Sequence, residues 1–324
     1  MFEISRIEAG RKRNPSCFDF PAGREAESVV TNAEMVTSAT FIIDHSPPCS
    51  PAALLLGCGG LTVCMTSMKI ATFNVNSLRK RLPIVLDWLV RQKPDVLCLQ
   101  ETKVQDSEFP LLALAESGYD ITYRGMKSYN GVAILSRVKP EAVAYGFDDG
   151  GESEDARLLR VVIKGIPIVN TYVPQGFEID SPKYQYKLSW YNRLRKYFEK
   201  HISPSKPAIW CGDMNVAPRP IDVHSPEKHL IHVCYHEDAR RAYENTLAWG
   251  FQDVFVKLYP DRQQYTFWDY RAPNSLEANK GWRIDHILAT ASLAERCVRV
   301  EVDVEPRRAK DSSDHTFLWA EFSV

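Results

Sequence analysis

The chain has no Cys-x-x-Cys pair, no surplus of basic charge and no apolar run long enough to cross a membrane. Each absence narrows the field. Eight cysteines spread over 324 residues exclude a small disulfide-stapled module. Cys98 and Cys211 lie in apolar, strand-like runs, where a reduced thiol packs as a small hydrophobe. A reducing cytoplasm is therefore the expected compartment. A formal net charge of −1 excludes a uniformly cationic polyanion binder but leaves room for a local basic face. The clusters Arg79-Lys80-Arg81, Arg193/Arg195/Lys196 and Arg240-Arg241 each read first as solvated surface. Residues 52–65 are small and apolar but fall short of the roughly 20 residues a spanning helix needs. No membrane association is expected.

What is present falls into two unequal parts. Residues 1–67 carry Pro47-Pro48, Pro51, Gly57 and four of the eight cysteines, without a helical or strand period. Leu55-Leu56-Gly57-Cys58 looks like a lipoprotein cleavage box, yet it lies deep in the chain with no basic region directly before it. The expectation is a poorly ordered extension outside the native domain, with Met68 as the true start and 68–324 as one domain. From Met68 the pattern is orderly. Strands are expected at Lys69–Val75, Asp95–Gln100, Val132–Arg137, Ile166–Val173 and Ala208–Gly212, and near 265–268, 283–290, 298–304 and 315–323. Helices are expected at Leu82–Gln92 (Leu82, Val85, Leu86 and Leu89 on one face), Lys183–His201 and Glu237–Gly250. Strands alternate with helices early and cluster later, which predicts two packed sheets with helices outside. No repeat at a fixed period is visible, although a two-sheet fold can hide one.

Polar groups gather where these apolar strands end: Asn74-Val75-Asn76, Gln100-Glu101-Thr102, Tyr172 before Pro174-Gln175-Gly176, and Asp213-Met214-Asn215. Asn170 lies in the strand Ile168–Val173, Asp285-His286 lies in the strand Arg283–Leu288, and Ser313-Asp314-His315 opens the last one. Sheet proteins concentrate chemistry at such ends. The residue types suit metal-assisted hydrolysis of a phosphodiester. Mg²⁺ takes hard oxygen ligands and one or two carboxylates, for which Glu101 and Asp314 are the first candidates and Asn76 a further oxygen. Asp213 can take a proton from water, with Asn215 holding it in line. Asn74, Tyr172 and His315 can face developing negative charge, and Asp285 behind His315 would favour imidazolium. Singly, each has a plainer reading: a helix-capping Glu101, a turn built by Asp213 and Asn215, an Asp285 paired with Arg283 or a backbone amide, a strand cap at Asp314-His315. Together those readings would require six strand ends to carry acids or amides by chance.

In order, Thr72–Arg79 (TFNVNSLR), Leu99–Lys103 (LQETK), Tyr129–Ala133 (YNGVA), Asn170–Gly176 (NTYVPQG), Gly212–Asn215 (GDMN), Tyr265–Tyr270 (YTFWDY), Gly281–Asp285 (GWRID) and Ser313–His315 (SDH) resemble the motifs of the exonuclease III family of abasic-site endonucleases. Any one is weak; the ordered set, across 68–324, is specific. The resemblance implies a deoxyribonuclease-I-like four-layer α/β sandwich with two mixed sheets flanked by helices. It implies a monomeric DNA repair enzyme using Mg²⁺, with Mn²⁺ as substitute, on double-stranded DNA carrying abasic sites or blocked 3′ ends. Cleavage is expected 5′ to the abasic sugar, with 3′→5′ exonuclease and 3′-end-cleaning activity. By position, Glu101 resembles a metal ligand, with Asn74, Asn76, Asp213, Asn215, Asp314 and His315 around the ion. Asp213 resembles the acid/base residue, Asn74, Tyr172 and Asn215 the phosphate and water positioners, and Asp285–His315 the ion pair. Phe267, Trp282 and Ile284 resemble the pocket for an extrahelical abasic sugar, with Trp268, Arg79, Lys103 and Asn130 as further substrate contacts.

The sequence departs from the family in three places. Asn76 stands where the family often has Asp, which puts a second metal position in doubt. The segment Ile221–Asp238 holds His224, His229, His232, Cys234 and His236, zinc ligand types in a spacing unlike a finger. Residues 1–67 have no counterpart. Two alternatives share the residue set: another phosphoesterase of the superfamily, acting on phosphoinositides or sphingolipids, and a non-catalytic binding protein on a decayed fold. The Phe267-Trp268 and Trp282 motifs favour DNA, and the presence of Glu101, Asp213 and His315 argues against decay.

Overall fold

A computed structural model describes residues 67–150 and 156–324. Residues 1–66, which carry most of the expected extension, lie outside the described residues. Among the described residues, twelve strands form two six-stranded sheets. The first contains β1 (Ser67–Asn74), β2 (Val96–Gln100), β3 (Asp120–Arg124), β4 (Val132–Ser136), β11 (Cys297–Asp303) and β12 (Phe317–Ser323), in the order β11-β12-β1-β2-β4-β3. The second contains β5 (Ala142–Tyr145), β6 (Leu158–Ile163), β7 (Ile166–Tyr172), β8 (Ile209–Asp213), β9 (Phe251–Asp253) and β10 (Asp285–Thr290), in the order β5-β6-β7-β8-β10-β9. Helices α1 (Leu78–Gln92), α2 (Leu111–Ala115), α3 (Pro182–His201) and α4 (Glu237–Leu247) lie in the connections.

Each sheet has the same centre. A parallel pair, β1 with β2 or β7 with β8, is joined by a crossover helix, α1 or α3, and flanked by antiparallel neighbours. This is the repeat that the sequence conceals. Period-two alternation makes the layers. Ile70, Cys98, Ile168 and Cys211 point into one core between the sheets. Phe73, Leu97 and Leu99 pack outward with Val85 and Trp88 of α1. Trp210 packs outward with Trp190, Leu194 and Phe198 of α3 and Tyr243 of α4. The four-layer, deoxyribonuclease-I-like sandwich expected above is what forms.

Several boundaries differ from expectation. The first helix starts at Leu78 rather than Leu82, although Ser77 offers no side-chain cap. The amides of Ser77 and Leu78 bond to the carbonyls of Glu101 and Thr102 instead (2.8 and 3.0 Å), a tertiary cap that local sequence cannot signal. Its buried face is Leu78, Arg81, Val85, Trp88 and Leu89, whereas Leu82 and Leu86 are only partly covered. The fourth helix stops at Leu247, not Gly250. Residues 265–268 are not a strand. Phe267 makes isolated bridges to Trp282 and to His315, so the segment threads between two loops that it fastens together. Strands β3, β5, β6 and β9 were not anticipated; β3 and β5 are too exposed to read as apolar runs.

Candidate active site

Asn74, Asn76, Glu101, Asp213, Asn215, Asp285 and Asp314 arrive at one edge, but not all at C-terminal strand ends. Asn74, Glu101, Tyr172 and Asp213 end or follow β1, β2, β7 and β8. Asp285 begins β10, and Asp314-His315 precede β12. These two strands run antiparallel to their neighbours, so their starts meet the others' ends, with Asp285 in register with Asp213. A Cβ on Gly212 would lie 2.0 Å from the carbonyl oxygen of Thr171, and its φ of +135° is one that side chains rarely adopt. Glycine is thus required directly before Asp213. Asn76, Glu101, Lys103 and Asn215 also hold positive φ.

Asp213 is buried and surrounded by donors. Its Oδ2 accepts from Asn74 Nδ2 (2.8 Å) and Asn215 Nδ2 (3.3 Å), and its Oδ1 accepts from the Asn215 amide (2.9 Å). Burial pushes its pKa up to about 7, the His315 charge opposes this, and the Asp285 and Glu101 carboxylates add to it. His315 Nδ1 donates to Asp285 Oδ2 (2.8 Å), and its Nε2 stands 3.8 Å from Asp213 Oδ2. Burial works against its charge, but the Asp285 and Asp213 carboxylates prevail and raise its pKa to about 10. Burial, followed by the Glu101 charge, holds the Tyr172 hydroxyl protonated well beyond its usual range.

Oxygen atoms suited to a cation cluster beside Lys103. Glu101 Oε2 and Asn76 Oδ1 converge on one positive group, the Lys103 ammonium, at 2.8 and 2.6 Å. Asp314 Oδ1 is one bond away, accepting from Asn76 Nδ2 (2.9 Å). These are hard oxygens at the cleft mouth and fit a divalent ion of the Mg²⁺ type. Burial would raise the Glu101 pKa, but Lys103 and Asn74 outweigh it and keep the carboxylate ionised. Donor atoms of Asp213, Asp285 and His315 also lie within 4.8 Å of one another. There the His315 ring stands between the two carboxylates, as the Lys103 ammonium stands between Glu101 and Asn76.

Phe267, Trp282 and Ile284 line a cleft of about 450 Å³ beside Asp213, His315 and Lys103. Three expected substrate contacts do not line it. Trp268 is buried against Tyr265 and directs its Nε1 to Asn279. Arg79 pairs with Glu108 on the surface. Asn130 uses its carbonyl to receive the Lys103 amide (2.9 Å), shaping the loop from behind. Asn170 leaves the site altogether: it bonds Gln100 and the carbonyls of Leu99 and Ala133 across the two sheets. Asp285 does not pair with Arg283, which is buried between Asp222 and Asp253.

Sequence reading missed Gln175, Tyr270 and Arg271 at the cleft and Lys187 beneath it. Lys187 is wholly buried and donates to the carbonyls of Gln175, Asn215 and Val233 (3.2, 2.7 and 2.7 Å). It interrupts the buried stripe Tyr184, Tyr191, Leu194 and Phe198 of α3, and a charge within such a stripe is the signal that marks it.

Two packed mixed sheets with acid, amide and imidazole groups converging at one edge define a hydrolase of the deoxyribonuclease-I-like sandwich class. The chain belongs to the endonuclease/exonuclease/phosphatase family, whose sequence profile matches residues 71–315. It is 33% identical over 268 residues to exodeoxyribonuclease III of Haemophilus influenzae, covering 79% of this chain and 100% of that protein. Among solved structures it is similar to an AP endonuclease from Archaeoglobus fulgidus, with a TM-score of 0.77, 55% identity, and coverage of 79% of this chain and 100% of that one. It is also similar to the 3′ phosphatase NExo from Neisseria bound to product DNA hairpin, with a TM-score of 0.77, 35% identity and the same coverage.

Proposed function

We propose that the protein is a DNA repair nuclease that hydrolyses the phosphodiester 5′ to abasic sites, with 3′→5′ exonuclease and 3′-end-cleaning activity. The observation that carries this is Asp213: a buried carboxylate at about 7, held by two amides beside an imidazolium, at the wall of a cleft also lined by Phe267, Trp282 and Ile284. A carboxylate poised near the working pH is suited to take a proton from water. Both Asn74 amide hydrogens are committed, to Glu101 Oε1 and Asp213 Oδ2 (2.8 Å each), so Asn74 spaces the two acids. Asn215 likewise gives its amide to Val173 and Asp213, which orients the base. His315 and Tyr172 remain to face the phosphoryl oxygens, with Asp285 sustaining the imidazolium charge.

Glu101, Asn76 and Asp314 would hold Mg²⁺, with Mn²⁺ as substitute, and the ion would neutralise phosphoryl charge and make bound water more acidic. Water attacks phosphorus, one of its protons passes to Asp213, the bond to the 3′ oxygen breaks, and the leaving oxygen takes a proton from solvent to become the 3′-hydroxyl while Asp213 returns its proton to water. Phe267, Trp282 and Ile284 offer apolar surface, which suits a sugar that has lost its base and is easily turned out of the helix. The nuclease names of the most fully covered relatives support DNA over a lipid phosphate as substrate. The nuclease unit is residues 68–324, acting as a monomer on double-stranded DNA in a reducing cytoplasm. Among the described residues no helix is long and apolar enough to cross a membrane.

The test is a duplex with one abasic analogue, incubated with Mg²⁺ and with EDTA. A single nick 5′ to the lesion that EDTA abolishes supports the reading; no cleavage with any divalent ion overturns it.

A further inference from the structure

The segment between β8 and α4 carries a histidine cluster that the nuclease reading does not use. His224 and His229 face each other with Nε2 atoms 3.3 Å apart. The bland account is a hydrogen bond between imidazoles. The spacing has another meaning. Two nitrogens each about 2.0–2.1 Å from one tetrahedral ion stand about 3.3 Å apart.

Three further observations favour a ligand pair. His224 Nδ1 lies 3.2 Å from the Gly281 carbonyl, so the proton sits on Nδ1 and Nε2 presents its lone pair. That is the outer contact by which metal-ligating histidines are oriented. The His229 ring packs edge-on against the His224 ring, with centroids 4.7 Å apart, which turns both Nε2 atoms toward the same point. Both rings are half-buried, leaving a path for an ion and its water ligands. The charged groups acting on His229 are Glu227, favourable to a cation, and Lys228, opposed to it.

The other members of the cluster are excluded. His232 Nδ1 accepts the Cys234 amide (3.2 Å), which places its proton on Nε2, and its ring lies on Trp282. Burial lifts the Cys234 thiol to about 11, and its sulfur turns to Asn215 Oδ1. His236 caps α4. We propose that His224 and His229 form a binding site for one Zn²⁺ or a similar borderline transition ion, completed by water and separate from the catalytic cation position. The His229 ring lies 4.8 Å from the Trp282 ring, so a bound ion would brace the loop against the wall of the cleft.

The experiment is calorimetric titration of the metal-stripped, full-length protein with Zn²⁺ in the presence of excess Mg²⁺, together with thermal melting. The wild type should take up one Zn²⁺ that is missing in both His224→Ala and His229→Ala, and Zn²⁺ should raise the melting temperature of the wild type alone. His229→Gln, which keeps a polar side chain of similar size, should show the same loss and reads the site if an alanine variant folds poorly. Equal Zn²⁺ uptake in wild type and variants, no uptake by the wild type, or loss in only one of the two positions overturns the paired site. The readout is binding, so it stands apart from whether the protein cuts DNA.

Discussion

Asp285 Oδ2 lies 2.8 Å from His315 Nδ1, with the carboxylate fully buried and the ring nearly so. A carboxylate this close and this dry makes the imidazolium the stable form, which turns a residue that usually titrates near neutrality into a lasting cation. Asp285→Asn should therefore lower the pH at which His315 loses its proton from about 10 and bring the alkaline fall in activity toward neutrality. A pH–rate profile unchanged on the alkaline side would contradict this. His315→Ala should reduce turnover strongly and DNA binding modestly; equal losses in the two would point to a binding role instead.

Asp213 sets the opposite limb. Its carboxyl must be ionised to accept a proton, and burial places that transition at about 7. Activity should rise with pH through that value and fall only as the His315 cation is lost, giving a bell whose limbs belong to the coupled pair. Asp213→Asn should lower kcat by roughly 10²–10⁴-fold with little change in KM, measured on the abasic duplex.

Arg283 is a matter of stability. It is wholly buried and bonds Asp222 (2.8 Å) and Asp253 (2.6 Å). Burial opposes both charges, yet Arg283 holds both carboxyls below their ordinary range. Depressed folded-state values mean that this stabilisation is present above the usual carboxylate range and is lost as pH falls through the lower folded values. Arg283→Met removes the central cation from two buried acids, leaving Asp222 to Arg219 and Asp253 to His286, and should cost on the order of 3–5 kcal/mol in urea unfolding at neutral pH. A cost within experimental error would show that the network contributes nothing net.

Lys187→Met strips the donor from three carbonyls, including that of Asn215. Each buried acceptor left unpaired costs roughly 1–3 kcal/mol, so the variant should melt earlier. Because the Asn215 loop orients Asp213, kcat should fall by more than KM changes. A variant that is destabilised but keeps full kcat would confine Lys187 to a packing role.

Beginning the chain at Met68 removes only Ser67 from β1 and keeps the pairing of Met68 with Phe322. Such a protein should match the full chain in melting temperature and nicking rate; a large drop in either would place the preceding residues within the working domain.

The sequence by itself determined the layers and marked the polar residue types that gather at one sheet edge. Alternating apolar runs such as Ile70–Phe73 and Leu97–Leu99 can bury both faces only between a second sheet and a helix, and acids and amides placed where those runs stop must fall at a sheet edge. Sequence also marked the histidines at 224 and 229, but not which of them meet. Tertiary structure decided that pairing, because side chains five residues apart in a loop have no fixed geometry until Gly281 and Trp282 pack beneath them. It likewise decided the partners of Arg283, the withdrawal of Trp268 and Asn170 from the cleft, and the burial of Lys187. In each case the residue type was legible, while its partner came from a distant segment that only the packed sheets bring within hydrogen-bond reach.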